Sequence, residues 1–275
     1  MSITKTMLSQ RNSFDKDVDK DLPKIISEFD EMNTLLVEVY DNVKDISDNE
    51  YLSNQELNDI IKNLDKTNRR YYLSFVALLL MANSNKKDIL TKVGIYNILS
   101  NSSKKQLINF NDIFSRTADT IYTSDILQKN IVLTNYDLKE ILDYRINNIH
   151  YSTRLWKDNM VLSDKLYETF NYGFLNDLSL SEMANNLSDV TGVGYSSSLR
   201  LLRTELTGVV SSTYLKYFNA SGISRVQQVS TLDNRTSDIC IERDGAIINV
   251  SDAIIGENIP PLHPWCRSII IPLTK

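Results

Sequence analysis

Glycine and proline are distributed so unevenly along these 275 residues that they divide the chain into two kinds of structure. Before residue 190 the only ones are Pro23, Gly94 and Gly173; beyond it lie six of the eight glycines and four of the five prolines. Helix interiors disfavour both, glycine for its backbone entropy and proline for its missing N–H and clashing ring, whereas turns collect them. The expected fold is mainly α with a small C-terminal α+β unit: an elongated helical N-terminal part, then a compact three-stranded tail.

Periodicity supports the helical reading. Ile25, Ile26, Phe29, Met32, Leu35, Leu36, Val39, Tyr40, Val43 and Ile46 fall at spacings of three and four, which places them on one stripe. Pro23 suits a first helical turn, and the Ser47–Asn49 cluster suits a stop. Ser53 with Glu56, and Ser179 with Glu182, have the spacing of capping boxes. Further helices are expected at 88–99, 105–130 and 136–170. After "TGVG" (191–194), Leu199, Leu202, Leu206, Val209, Val210, Tyr214 and Tyr217 form another helical stripe over 195–219. Asn219 to Gly222 is its stop, with Gly222 free to take the left-handed conformation. Strands are then expected in "ISRVQQVSTL", "AIINV" and "CRSIIIP", with "RDG" as a turn.

Composition excludes some functions. The formal net charge of −5 argues against coating a nucleic acid by bulk attraction, so any DNA contact is confined to patches such as "SNKK" (84–87), "SSKK" (102–105) and Arg69–Arg70. The N-terminus has no apolar core segment of a signal peptide. The most apolar run, Tyr71 to Ala82, is too short to span a bilayer, so no membrane association is expected. There is no Gly-rich phosphate loop, no G-x-S-x-G and no H-E-x-x-H.

The chemistry-bearing residues gather in the tail: Asp233, Arg235, Cys240, Asp244, Gly245, Pro260, Pro261, His263, Pro264, Cys266 and Arg267. His263 and Cys266 form an H-x-x-C element, a spacing that lets two ligands on one turn reach a single ion, and prolines on either side stiffen that turn. Cys240, on the preceding loop, closes onto them if the strands pair antiparallel. Asp233, Asp238 or water would complete a structural zinc site. Two other readings stay open: small buried thiols with His263 bonded to a carbonyl or to Asp233, and a disulfide between Cys240 and Cys266. Asp233 and Arg235 read as turn chemistry or a pair, and Arg200 and Arg203 as a salt-bridged helix face or a phosphate contact. His150 reads as a surface or packing histidine on a helix, and Trp156 as a core or interface residue.

In combination these motifs resemble the tailed-phage minor head protein family, the MuF-like head-morphogenesis proteins. The resemblance covers roughly 180 to 273 and rests on "RTE", "YFNASGI", D-x-R-T-x-x-x-C, "DG" and P-P-x-H-P-x-C-R before an apolar strand. It places the family's pattern on Arg203, Thr204, Glu205, Asp233, Arg235, Thr236, Cys240, Asp244, Gly245, Pro261, His263, Pro264, Cys266 and Arg267. Where family members often end on C-R-C this chain reads C-R-S, with Ser268. The resemblance implies a helical domain over 1–178 that binds the portal or another partner, and a head-morphogenesis domain over 179–275 with its β unit at 223–273. It implies a structural protein of the virion, inside the phage head, assembled in the bacterial host cytoplasm and acting in procapsid assembly or DNA ejection. The portal protein is the implied partner, with scaffold or capsid protein and weak DNA contact beside it. Since the motif runs to the chain's end, no toxin domain and no enzymatic activity are expected. The competing expectation is a metal-dependent nuclease or toxin using His263 and Asp233.

Overall fold

The structure, a computed structural model, describes residues 3–81 and 84–273; Ala82, the end of the apolar run, lies outside the described residues. Eight helices occur among these residues, with a three-stranded antiparallel sheet near the C-terminus. They are α1 (Ile3–Val43), α2 (Asn54–Asn63), α3 (Arg69–Met81), α4 (Lys86–Thr123), α5 (Asn135–Leu142), α6 (Tyr151–Leu175), α7 (Leu180–Ala220) and α8 (Asp238–Glu242). The strands are β1 (Arg225–Val229), β2 (Ile247–Asn249) and β3 (Ile269–Pro272). This is the expected fold class.

Several helices are longer than periodicity alone suggested. Pro23 lies inside α1, not in its first turn. Its ring is on the exposed face, so the helix forgoes one ladder bond there and carries on in both directions. The buried stripe continues upstream through Met7, Phe14 and Val18 at the same spacing, and Arg11 occupies one of its positions. The helices expected at 88–99 and 105–130 are one helix, α4, ending at Thr123. The intervening "SNSSKK" looks like a break, but Ser103 back-bonds to the Leu99 carbonyl at 2.7 Å and Ser102 accepts from Gln106 Nε2 at 3.0 Å. The polar groups are satisfied without leaving the helix. "TGVG" does not interrupt α7 either: a Cβ on Gly194 would come within 2.8 Å of Leu162 and 3.2 Å of Phe29, so this glycine serves close packing and not a turn.

Conversely, the helix expected over 136–170 is two. Between α5 and α6, Ile146 and Ile149 exchange backbone hydrogen bonds of 3.2 and 3.0 Å across Asn147 and Asn148, both at positive φ, as a type I′ turn requires. His150 therefore precedes α6 instead of lying on a helix. Its Nε2 meets the Leu142 carbonyl at 3.0 Å and its Nδ1 the Ser152 hydroxyl at 2.7 Å. Both expected capping boxes form, at Ser53–Glu56 and Ser179–Glu182.

The chain packs as two compact units, one from residues 1–23, 107–154 and 198–275, the other from 24–106 and 155–197. In the second unit α1 contributes Ile25, Phe29, Met32, Leu36, Tyr40 and Val43 to the core, while Ile26 and Leu35 of the expected stripe are exposed. Trp156 packs there against Tyr71, with ring centroids 5.2 Å apart. Lys86, Lys87, Lys104 and Lys105, the basic residues of "SNKK" and "SSKK", are each paired with a carboxylate: Glu50, Asp48, Asp65 and Glu31.

The first unit is organised by α7. From Leu201 to Phe218 this helix is buried on nearly all sides, so even its polar positions Glu205, Thr207, Ser211 and Thr213 lie inside. It ends in a Schellman motif: Ile223 N–H bonds the Phe218 carbonyl at 2.9 Å, Gly222 N–H bonds the Asn219 carbonyl at 3.0 Å, and Gly222 has φ +76°. The strands follow in the order β2-β1-β3, with Val226 opposite both Ile248 and Pro272. β3 is buried along its length, so the tail has one half-exposed edge, β2, and one covered edge.

Candidate functional site

Three chain segments bring the unusual residues together. Cys240 sits on α8, a short helix that the sequence pattern assigned to a loop, and its thiol is buried. His263 and Cys266 lie on the proline-rich loop between β2 and β3, where Pro260–Pro261 is a cis peptide. His263 Nε2 stands 3.1 Å from Cys240 Sγ, the two sulfurs are 3.7 Å apart, and the three candidate ligand atoms all lie within 4.8 Å of one another. Both cysteines are free thiols.

The donor set fits a metal. Two thiolates on a tetrahedral zinc, with bonds of ~2.3 Å, stand ~3.8 Å apart. His263 Nδ1 meets the Pro264 carbonyl at 2.6 Å, so it carries the proton and leaves Nε2 as a lone pair facing the sulfurs. The Ser268 hydroxyl reaches Cys240 Sγ at 3.1 Å and Ser230 Oγ at 3.1 Å. Ser230 in turn donates to the Cys240 carbonyl at 2.8 Å. The bond from Cys266, helped by that from Ser268, pushes the Cys240 thiol down against the opposing effect of burial. The same shared bond and burial push the Cys266 thiol up.

Asp233 lies outside this ligand group. Its two oxygens accept a bidentate pair from Arg267 at 2.8 and 2.5 Å, and Oδ1 also accepts from the Arg235 N–H at 2.9 Å. The Arg267 guanidinium first, and the Arg235 N–H second, hold its carboxyl well below the usual range. Thr236 braces the same turn, donating to the Thr231 carbonyl and accepting from the Asp233 N–H at 2.9 Å. Asp244 accepts from the Ser230 N–H at 2.7 Å, and Gly245, at φ +80°, completes the turn into β2.

The "RTE" residues each tie α7 to a different segment. Arg203 pairs with Asp15 and Asp19 of α1, so it is the salt-bridged face that its spacing suggested. Thr204 Oγ1 accepts from the backbone N–H of Trp265 at 3.0 Å, beside the His263–Cys266 turn. Glu205, 1% exposed, takes both 2.7 Å bonds of a bidentate pair from Arg154 and a further bond from the Tyr144 hydroxyl. Arg154 also donates to the carbonyls of Ile146 and Ile149, and so fastens the Asn147–Asn148 turn. Burial and the neighbouring Glu205 push the Tyr144 phenol well above its usual range. Arg154 and Tyr144 were not legible as site residues: both lie upstream of every recognisable motif. Thr207, one turn beyond Arg203, donates to the Cys266 carbonyl at 2.6 Å and accepts from Arg11 at 3.0 Å.

The site is a helix and a small sheet joined by a thiol–imidazole cluster and an acid–arginine turn. Residues 173–271 match the family described as Phage Mu protein F like protein, which supports membership of the MuF-like minor head proteins over this part of the chain. All the residues carrying the resemblance, from Arg203 to Arg267, fall inside the matched segment. No curated protein and no solved structure matches the chain. Among the described residues no helix is long and apolar enough to cross a membrane.

Proposed function

We propose that this protein is a minor head protein of a tailed phage that joins the portal at one vertex during procapsid assembly, resides in the virion and influences head morphogenesis or DNA ejection. In this reading residues 179–275 are the rigid module common to the family, and 1–178 supply the helical surface for the portal, with scaffold or capsid protein as further contacts and DNA touched only weakly.

The observation that carries a structural over a catalytic role is the commitment of the candidate acid–base groups. Both nitrogens of His263 face protein partners, and both oxygens of Asp233 are held by Arg267. A general acid or base needs a group free to reach a substrate proton, which favours the head protein over a nuclease or toxin. Cys240, His263 and Cys266 would hold a zinc ion, which supplies a cross-link between α8 and the loop before β3. The chain's own residues prepare that clasp: the Pro264 carbonyl orients His263, and Ser268 stabilises the Cys240 thiolate.

Co-expression with the portal protein of the same phage, followed by affinity purification of the portal ring, tests the reading. The expected result is co-purification in a fixed stoichiometry that survives 0.5 M salt, where charge interactions are screened beyond ~4 Å. Portal rings free of this chain, in a preparation where the chain itself is folded, would count against it.

A further inference from the structure

A cleft of about 560 Å³ lies within the first unit between the N-terminal part of α1, α7, the loop after β1 and the loop before β3. Its lining includes four guanidiniums, those of Arg11, Arg203, Arg235 and Arg267, and only two carboxylates, Asp15 and Asp19. Asp233, just outside the lining, takes Arg267 in its bidentate pair. Asp15 and Asp19 are shared by Arg203 and Arg11. That leaves one guanidinium in excess. It is Arg235, largely exposed, whose nearest carboxylate oxygen is a long 3.6 Å away on the already occupied Asp233.

The second observation is Arg11 itself. It occupies a core position of the α1 stripe and is only 3% exposed, yet its Nε–H has no acceptor. Nη1 lies 2.8 Å from Asp15 Oδ1 but out of hydrogen-bond alignment, and only Nη2 is satisfied, by Thr207. A buried guanidinium donor without an acceptor is costly, and neither Asp15 nor Thr207 takes a hydrogen bond from Nε. Trp265 stands in the same lining, held at φ 64° with its N–H on Thr204 and its indole half-exposed.

We infer that this cleft is a binding site for a phosphate group, received by the surplus charge of Arg235, with the under-satisfied guanidinium of Arg11 in the wall behind it. Guanidinium forks match the oxygens of phosphate, and a tetrahedral oxyanion supplies both the charge and the acceptors that the lining lacks. The phosphate is either free or part of a nucleotide, whose base would lie on the Trp265 ring. This goes beyond the assignment to the phage head and does not depend on it, nor on metal at Cys240.

Isothermal titration of the full chain with sodium phosphate, against sodium chloride at matched ionic strength, tests it. One phosphate per chain is expected, bound at least tenfold more tightly than chloride. Arg235→Gln should weaken binding at least fivefold, while Arg145→Gln, an exposed arginine outside the cleft, should leave it unchanged. Arg11→Gln should abolish binding, but it touches the core, so Arg235→Gln decides the matter if that variant fails to fold. Thymidine monophosphate binding more tightly than phosphate, with the gain lost in Trp265→Ala, identifies the nucleotide; equal affinities identify the phosphate alone. Phosphate bound no better than chloride, or equally by wild type and Arg235→Gln, overturns the inference.

Discussion

The Arg154–Glu205 pair offers the most demanding test of how this module is held together. Glu205 is 1% exposed and Arg154 keeps 22% of its side chain in contact with solvent. Glu205→Ala therefore strands a guanidinium that has lost both 2.7 Å bonds but retains the carbonyls of Ile146 and Ile149 and some access to water. Breaking a buried pair from one side costs ~3–5 kcal/mol, and the partial exposure of Arg154 puts this variant at the low end, ~3 kcal/mol. At ~1.4 kcal/mol per tenfold, the unfolding equilibrium of the first unit should rise on the order of a hundredfold. Arg154→Met should cost more, because it leaves a fully enclosed carboxylate with only the Tyr144 hydroxyl. Urea titration gives the global values, and amide hydrogen exchange in α7 and β1 localises them to this unit. The double variant closes the cycle, and a coupling of at least ~2 kcal/mol is expected for groups in direct contact. Single variants that each cost under ~1 kcal/mol, or costs that simply add, would refute the view that this pair anchors the turn before α6 to α7.

Other outcomes follow from the same contacts. A Cβ at Gly208 would stand 2.4 Å from the Tyr144 ring, so Gly208→Ala should destabilise by ~1–3 kcal/mol despite alanine's better helix propensity, measured by the shift in thermal midpoint. Asp233 has a folded pKa below its unfolded one, so its pairing with Arg267 and the Arg235 N–H stabilises the fold above about pH 4 and is lost as pH falls further. Acid unfolding should therefore show wild type ahead of Asp233→Asn near neutrality, with the two converging at low pH; parallel curves would contradict it. Protein purified without chelator should carry one zinc per chain by elemental analysis and lose it in Cys240→Ala; a metal-free wild type would leave the clasp to hydrogen bonds alone.

Local signals in the sequence were strong where one residue type has few alternatives. The capping serines, Gly222 at the end of α7 and the β-branched runs of the tail each answer a short-range requirement that the neighbouring residues meet on their own. The gathering of Cys240, His263 and Cys266 was legible for the same reason: antiparallel pairing of three short strands leaves few places for the loops between them. Helix lengths were not legible. Whether Ser102 and Ser103 end a helix or sit buried inside α4, and whether Gly194 marks a turn or a close contact, depends on which neighbour arrives from elsewhere in the chain.

The same division holds at the site. Sequence alone determined the fold class, the motif family and the residues able to ligate an ion, because these follow from residue chemistry and spacing. Only tertiary structure decided that Asp233 belongs to Arg267, that Glu205 is buried against Arg154 and Tyr144 from sixty residues upstream (pairs separated by 51 and 61 positions), and that Arg11 reaches into a cleft beside Cys266. A carboxylate's partner is set by which cation the fold carries within ~4 Å, and that distance has no counterpart in sequence separation.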